Sequence, residues 1–265
     1  MSGTTSIATV TGRLAEKAII VFGSARGIGA ATVRRLAAEG ARICAADLDR
    51  EGAEAIAASV REAGGECRGV RVDIADEASV SDAVAFAVER LGGLDGAHIN
   101  AADLKVIADD SDVLDELLAT FDRTLDVNLR GHLLCTRAVL PHLLARGEGA
   151  IVYTSSDAAE LGEAVRPAYA ASKGGLNALM RHVARRWGPE GVTANCVAPG
   201  FVHTPEARES GSMPAHRVAD QLSRIPGRRV GRVEDIAGVV ALLLSEDGRW
   251  INGQVYHVNG GALMH

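Results

Sequence analysis

The sequence predicts an α/β fold, a doubly wound parallel sheet with helices on both faces, and three observations carry that expectation. Short apolar runs of strand length alternate with helical patterns from about residue 17 to the end. Glycines close the first helical patterns, at Gly40, Gly64-Gly65 and Gly92-Gly93. No linker or composition break divides the 265 residues, a length that one α/β domain commonly fills. Strands alternating with helices pair in parallel, because each helical crossover returns the chain to the end of the sheet where the previous strand began.

The elements follow in order. "AIIVFG" (18–23) reads as a buried strand, and residues 28–39 as a helix. "ARICAAD" (41–47) is a second strand, followed by a helix over 50–63. "RGVRVD" (68–73) is the third strand, 79–91 the next helix, and "DGAHIN" (95–100) the fourth strand. A long helical pattern spans about 113–146, where Pro141 removes a backbone hydrogen bond and predicts a kink. "GAIVYTS" (149–155) and "VTANCVA" (192–198) are strands on either side of a helix over about 169–187. Residues 233–245 form the last strong helix and "GQVYHVNGG" (253–261) the last strand. The whole chain, 1–265, is expected to be one domain, with a polar lead over 1–16. The stretch from about 203 to 229 reads as irregular, and a loop of that length in a compact domain is usually functional.

Composition narrows the function classes. Aromatics are only 3% of a chain that is 47% hydrophobic, so Ala, Val, Leu and Ile must build the interior. The net charge of −6 is scattered, which excludes a basic nucleic-acid face and a polybasic membrane patch. Cys44, Cys67, Cys135 and Cys196 lie far apart among apolar neighbours and are expected as small buried hydrophobes in a reducing compartment. The start "MSGTTSIATVTGR" lacks a basic stretch followed by an apolar one, and no run is long enough to span a bilayer. A soluble cytoplasmic protein is expected.

Gly23, Gly27 and Gly29 in "VFGSARGIG" lie where the first strand turns into the first helix. A helix N-terminus attracts an anion, and glycines there let backbone approach a pyrophosphate. The triplet alone also fits a tight turn with close helix packing. Asp47, ending the second strand, adds a carboxylate that can accept from both ribose hydroxyls of an adenosine and would repel a 2′-phosphate. Arg26, in the turn, could instead pair with that phosphate. Asp47 is weighted more heavily, and NAD(H) is expected over NADP(H).

"YAASK" puts Tyr169 and Lys173 four residues apart at a helix start, hence on one face. A phenol titrates near pH ~10 in the unperturbed state, and a neighbouring ammonium would lower it. A Tyr so tuned can give a proton to a carbonyl oxygen or take one from an alcohol.

These pieces together resemble the short-chain dehydrogenase/reductase family, in its compact single-domain branch with a Rossmann-like sheet. "GSARGIG", "AADLD", "VDI", "INAA", "LDVNLRG", "YTSS", "YAASK", "NCVAPGFVHT" and "GQVYHVNGG" occur in the family's order, from Lys17 onward. The resemblance implies a catalytic set of Asn128, Ser156, Tyr169 and Lys173. Ser156 is taken over Ser155 because it stands thirteen residues before Tyr169. Tyr169 would be the acid/base and Ser156 would polarise the substrate oxygen. Lys173 would lower the Tyr169 pKa and hold the nicotinamide ribose, and Asn128 would bend its helix and support a water beside Lys173. The cofactor contacts implied are Gly23, Arg26, Gly27, Ile28, Gly29, Asp47, Leu48, Asp73, Ile74, Asn100, Ala101, Ala102, Tyr169, Lys173, Pro199, Gly200, Val202 and Thr204. A homotetramer is implied too. The chain departs from the family at Phe22, where Thr is usual, at Ile99, where Asn is usual, and at Ala102, where Gly is usual. Phe22 and Ile99 are expected to pack on each other at neighbouring strand ends.

The eight histidines show no metal-ligand spacing, and no metal is expected. His98 reads as a hydrogen-bonded core residue and His203 as a loop residue. Asp157, Glu160 and Glu163 read as solvated loop charges, with an acidic substrate rim as the other reading. Met213 fits either substrate contact or loop packing. The sequence thus points to an NAD-dependent oxidoreductase interconverting a secondary alcohol and a ketone. An NADPH-dependent 3-oxoacyl reductase and a catalytically quiet dinucleotide-binding redox sensor are the alternatives. The 205–225 stretch is long, irregular and charged, with Glu206, Arg208, Glu209 and Arg217 among few large apolar groups, and leans toward a small or polar alcohol over a steroid-sized apolar one.

Overall fold

In the computed structural model, residues 12–204 and 215–264 are described. Seven strands form one parallel sheet: β1 (Ala18–Phe22), β2 (Arg42–Asp47), β3 (Glu66–Arg71), β4 (Gly96–Ile99), β5 (Gly149–Thr154), β6 (Val192–Pro199) and β7 (Val255–Val258). Their spatial order is β3-β2-β1-β4-β5-β6-β7. The order reverses between β1 and β4, and a crevice opens at the strand carboxyl ends there, where ligands bind in doubly wound sheets.

Alternation along β1 shows why the sheet needs cover on both faces. Ala18, Ile20 and Phe22 enter one core, with Val80 and Val84 of α3 (Glu77–Leu91), Leu134 and Val139 of α5 (His132–Arg146), and Leu176 and Met180 of α7 (Pro167–Trp187). Ile19 and Val21 enter the other. They meet Val33 and Leu36 of α1 (Gly27–Ala38), Ile56 and Val60 of α2 (Arg50–Glu62), and Ile236 and Val240 of the last helix, Val233–Leu244. With side chains alternating every residue, a strand buried on both faces reads as the unbroken apolar run seen in the sequence. Helix ends are set locally: Asp49 caps α2 through Gly52 N–H, Asp76 caps α3 through Ala78 and Ser79 N–H, and left-handed Gly92 ends α3.

Three expectations change. The single helix over 113–146 is broken: α4 (Leu118–Leu125) passes through a wide π turn, Asp126–Gly131, into α5, which continues through Pro141. The stretch over 203–229 holds a helix, α8 (Ala215–Ser223), ahead of α9 (Val233–Leu244), with the short α6 (Ala158–Leu161) earlier in the chain. The lead joins the fold before residue 17, since Leu14 is fully buried and Arg13 makes a two-pronged contact with Glu39. All four cysteines are free and buried, and burial pushes the Cys44 thiol up to about 12. Among the described residues no helix is long and apolar enough to cross a membrane.

Candidate active site

The turn after β1 closes on the chain itself. Gly23 stands at φ +79, and a Cβ there would fall 2.6 Å from the Ala101 Cα. A Cβ on Gly29 would fall 1.8 Å from the Gly23 carbonyl oxygen. Only glycine permits either approach. The turn then delivers the N-terminus of α1, whose first turn has no acidic residue and whose preceding residue, exposed Arg26, supplies no side-chain cap. Ile28 lies half-buried on α1. Asp47 faces this turn from the end of β2: its Oδ2 accepts from Ala25 N–H at 2.9 Å and its Oδ1 from Asp49 N–H at 2.9 Å. Each carboxylate oxygen keeps a second lone pair for a further donor. Leu48 beside it is exposed. After β3, Asp73 accepts from Ala75 N–H, and buried Ile74 supports Gly131 at the end of the π turn.

A buried polar chain ties the next strand ends. Asn100 Nδ2 donates to Gly23 O at 2.9 Å, Thr154 Oγ1 donates to Asn100 Oδ1 at 3.0 Å, and His98 Nε2 lies 2.9 Å from Thr154 Oγ1. Thr154 has spent its only hydrogen on Asn100, so His98 must donate from Nε2. Burial pushes His98 down to about 3, which keeps the ring neutral. Phe22 and Ile99 are register partners on β1 and β4, both fully buried in the same core. The apolar pair thus stands beside the polar tie, which Asn100 makes one residue further on. Half-buried Ala101 and Ala102 continue from Asn100 along the same edge.

Beyond β5, Ser156, Tyr169 and Lys173 come together, while Asn128 stands in the π turn that packs against α7. Ser156 stands close enough to the Tyr169 phenol to lower its pKa, and its Oγ accepts from Ala158 N–H at 3.2 Å, whereas the Ser155 hydroxyl is buried without a partner. Lys173 is fully buried, donates to Thr154 O at 2.8 Å, and its Nζ lies 5.7 Å from the centre of the Tyr169 ring. Burial lowers its ammonium to about 8. Asn128 sits in the π turn, where its Oδ1 accepts from Asp103 N–H at 3.0 Å and its Nδ2 is buried with no partner. One expectation is corrected here. Burial holds Tyr169 above the ordinary tyrosine value, and nearby Ser156 and the Arg166 charge offset this only in part. The phenol is therefore protonated at neutral pH in this arrangement, with the ammonium turned to the Thr154 carbonyl.

Asp157 also departs from expectation. It is only 2% exposed, and its Oδ1 lies 2.7 Å from Nδ1 of His257 on β7. Its Oδ2 has no hydrogen-bond partner and faces Gly200, where a Cβ would stand 3.1 Å away. Glu160 lies 3.7 Å from the far ring nitrogen of His257, and Glu163 pairs with Arg166. So the loop after β5 and the Pro199-Gly200 turn after β6 meet at one buried carboxylate. Val202 bridges to Gly231, and the Thr204 methyl approaches Gly27 across the crevice. His203 stacks on Phe201 with its Nε2 buried. Met213, Glu206, Arg208 and Glu209 lie outside the described residues. Among the described residues no cluster could hold a metal ion.

A family model described as Enoyl-(Acyl carrier protein) reductase, of the short-chain alcohol dehydrogenase type, matches residues 23–263. The chain belongs to the short-chain dehydrogenase/reductase family. It is 38% identical to a probable short-chain type dehydrogenase/reductase of Bradyrhizobium diazoefficiens, over 96% of this chain and 90% of that one. A cis-4-hydroxycyclohexanecarboxylate dehydrogenase of Sinomonas cyclohexanicum is 37% identical over 93% and 96% of the two chains. Levodione reductase of Leifsonia aquatica is 33% identical over 97% and 98%, and a crystal structure of levodione reductase superposes with a TM-score of 0.88 over 94% of this chain and 98% of that one. The chain is thus a short-chain dehydrogenase/reductase with the family's Rossmann-like sheet, an oxidoreductase by kinship. The family binds a nicotinamide dinucleotide, and the residues here fit one: α1 opens without an acidic side chain at its positive end, Asp47 holds oriented lone pairs beside it, and Asn128, Ser155 and Asp157 keep buried polar atoms unpaired toward the catalytic end.

Proposed function

We propose that this short-chain dehydrogenase/reductase interconverts a secondary alcohol and its ketone with NAD(H), using Tyr169 as the proton carrier. The observation that carries the reading is a Tyr169 phenol held protonated by burial, its pKa lowered in part by nearby Ser156, with the buried Lys173 Nζ 5.7 Å from the centre of its ring. A cofactor bound along the crevice supplies or accepts the hydride. Gly23, Gly27, Gly29 and the amides opening α1 cradle its pyrophosphate, and Ile28 and Arg26 flank it. Asp47 accepts from the adenosine ribose beside Leu48, with Asp73 and Ile74 along the adenine. Asn100, Ala101 and Ala102 line the middle of the crevice. Pro199, Gly200, Val202 and Thr204 orient the nicotinamide, and Lys173 holds its ribose.

In the reductive direction, Ser156 donates to the carbonyl oxygen and Tyr169 delivers its proton there as the alkoxide forms. In the oxidative direction the phenol must first release its proton. Rotation of the Lys173 ammonium from Thr154 O toward Tyr169 would favour that phenolate. Asn128 supports the route by which Lys173 recovers a proton. NAD(H) is preferred because a 2′-phosphate would meet the Asp47 carboxylate, which two backbone amides hold in place. The names of the relatives, a levodione reductase and a 4-hydroxycyclohexanecarboxylate dehydrogenase, favour a six-membered cyclic ketone or alcohol. A homotetramer fits the exposed Leu118 and Leu133 and the groove of about 420 Å³ that Leu125, Leu129, Leu133 and Leu179 line on the α4–α5–α7 face.

Turnover of levodione, cis-4-hydroxycyclohexanecarboxylate and a panel of acyclic and acyl-thioester ketones, with each cofactor, tests the reading. Cyclic substrates with NAD(H) are expected to turn over best. Preference for NADPH with a 3-oxoacyl thioester would replace the reading with the acyl reductase, and cofactor binding without any turnover would favour the sensor.

A further inference from the structure

The helix that carries Tyr169 and Lys173 begins in an uncommon way. Arg166, just before it, stands at φ +71, a region a long side chain rarely adopts, and gives no side-chain cap. Pro167 opens the helix and has no N–H, so Ala168 and Tyr169 carry the first amides in need of an acceptor. Both find it in Asp110, more than fifty residues earlier and 4% exposed. Its Oδ2 accepts from Tyr169 N–H at 2.8 Å and its Oδ1 from Ala168 N–H at 3.3 Å. Arg166 N–H donates to the next carbonyl, Ser111 O, at 2.8 Å, and Glu116 accepts from Ser111 N–H at 2.7 Å. The same segment reaches the other side of the site through Asp103 N–H on Asn128 Oδ1, with its carboxylate held by Arg123.

We infer that Asp110 is a positioning residue for Tyr169. A cap taken from the residue before a helix ties the helix only to its own entry. This cap comes from the segment after β4 and ties the backbone of Tyr169 to the stretch that also holds Asn128. The position of the phenol over Ser156 therefore depends on Asp110, although Asp110 touches no reacting atom. The inference rests on the reading of Tyr169 as proton carrier only for its kinetic consequence; the capping itself stands apart from it.

Asp110→Ala, Asp110→Asn and Asp110→Ser are compared with wild type and with Asp76→Ala, which removes a similar carboxylate cap from α3. Levodione reduction with NADH gives kcat and KM, NADH fluorescence gives cofactor affinity, and amide exchange and ¹³C-tyrosine NMR report on Tyr169, its signal assigned with Tyr169→Phe. Asp110→Ala is expected to lower kcat by about tenfold to a hundredfold with NADH affinity within about twofold of wild type, because small misplacements of a reacting group are costly. Asp110→Asn, which keeps one acceptor, should recover much of the loss. Exchange at Ala168 and Tyr169 should speed by about tenfold or more and the Tyr169 phenol signal should move, while Asp76→Ala lowers the melting temperature and leaves kcat unchanged. Wild-type kcat in Asp110→Ala, or an equal loss of kcat in Asp76→Ala, overturns the inference. If wild type turns over no levodione, the substrate reading fails alone, and unchanged exchange together with an unmoved Tyr169 signal still overturns the role of Asp110. If Asp110→Ala does not fold, the Asn and Ser variants carry the same comparison.

Discussion

The ends of β1 and β4 and the ends of β5 and β6 line the same crevice, but they are finished differently. At the ends of β1 and β4 the chain packs against itself: Phe22 meets Ile99, Gly23 meets Ala101, and the Gly23 carbonyl takes Asn100 Nδ2. Around the ends of β5 and β6 the interior holds an ammonium and a carboxylate, Lys173 and Asp157, with Asn128 Nδ2, Ser155 Oγ and Asp157 Oδ2 buried and unpaired. Unpaired polar atoms cost stability, and a protein retains them where another purpose requires it. The first region keeps unpaired polar atoms as well, Ser24 Oγ and His98 Nδ1, beside its apolar closure; what sets the second apart is a buried ammonium and a buried carboxylate.

The contrast is sharpest at Lys173. Burial brings its ammonium from 10.5 down to about 8. Below pH 8 both folded and unfolded chains hold the proton, and the folded protein bears the whole desolvation penalty. Between pH 8 and 10.5 the unfolded chain binds the proton that the folded one has released, so stability rises with pH; above 10.5 there is no further gain. The unfolding free energy of wild type relative to Lys173→Met should therefore climb by about 3 kcal/mol across that window and stay flat below it. Denaturant titrations of both proteins from pH 6 to about 11 check this, and a flat difference would mean that Lys173 is solvated.

A coupling smaller than that shift tests the other region. Phe22→Thr should leave a cavity and a buried hydroxyl, and Ile99→Asn a buried amide facing Phe22, each costing about 2–4 kcal/mol. Because the two residues are register partners in one core, the double variant should recover part of the loss, with a coupling above ~0.5 kcal/mol. A double-mutant cycle by denaturant unfolding at constant assembly state measures it. Strictly additive losses would make them independent core residues, and the closure of this region would no longer be cooperative.

Legibility in the sequence follows the same division. The turn from Gly23 to Gly29 and the acidic end of β2 are local patterns, and the structure brings them together across one β-α-β unit. The convergence of Ser156, Tyr169 and Lys173 was also readable, because two of them share a helix face. The apolar pattern does not mark the π turn at Asn128, since it stays helical through the change of hydrogen bonding; a bend there is implied only by the family resemblance. Asp157 read as a loop charge because "SDAAELGE" is polar and small, and His257, its partner, lies a hundred residues on. Asp110 sits in "ADDSD", which looks like a solvated run; nothing near it in sequence marks the two amides it caps. The sequence of α8 does carry a helical stripe, Ala215, Val218, Ala219 and Leu222, but over little more than two turns inside a long polar stretch, too short to stand out from a loop.

The central claim is that Tyr169 moves the proton while the rest of the crevice holds the cofactor. Tyr169→Phe removes one oxygen from a half-buried ring and leaves Asp47, the glycine turn and Lys173 in place. Measured side by side, NADH affinity of this variant should stay within about twofold of wild type while turnover of an accepted ketone falls by roughly 10²-fold or more. Unchanged turnover would contradict the assignment, and a loss of turnover matched by an equal loss of NADH affinity would make Tyr169 a binding residue instead of the acid.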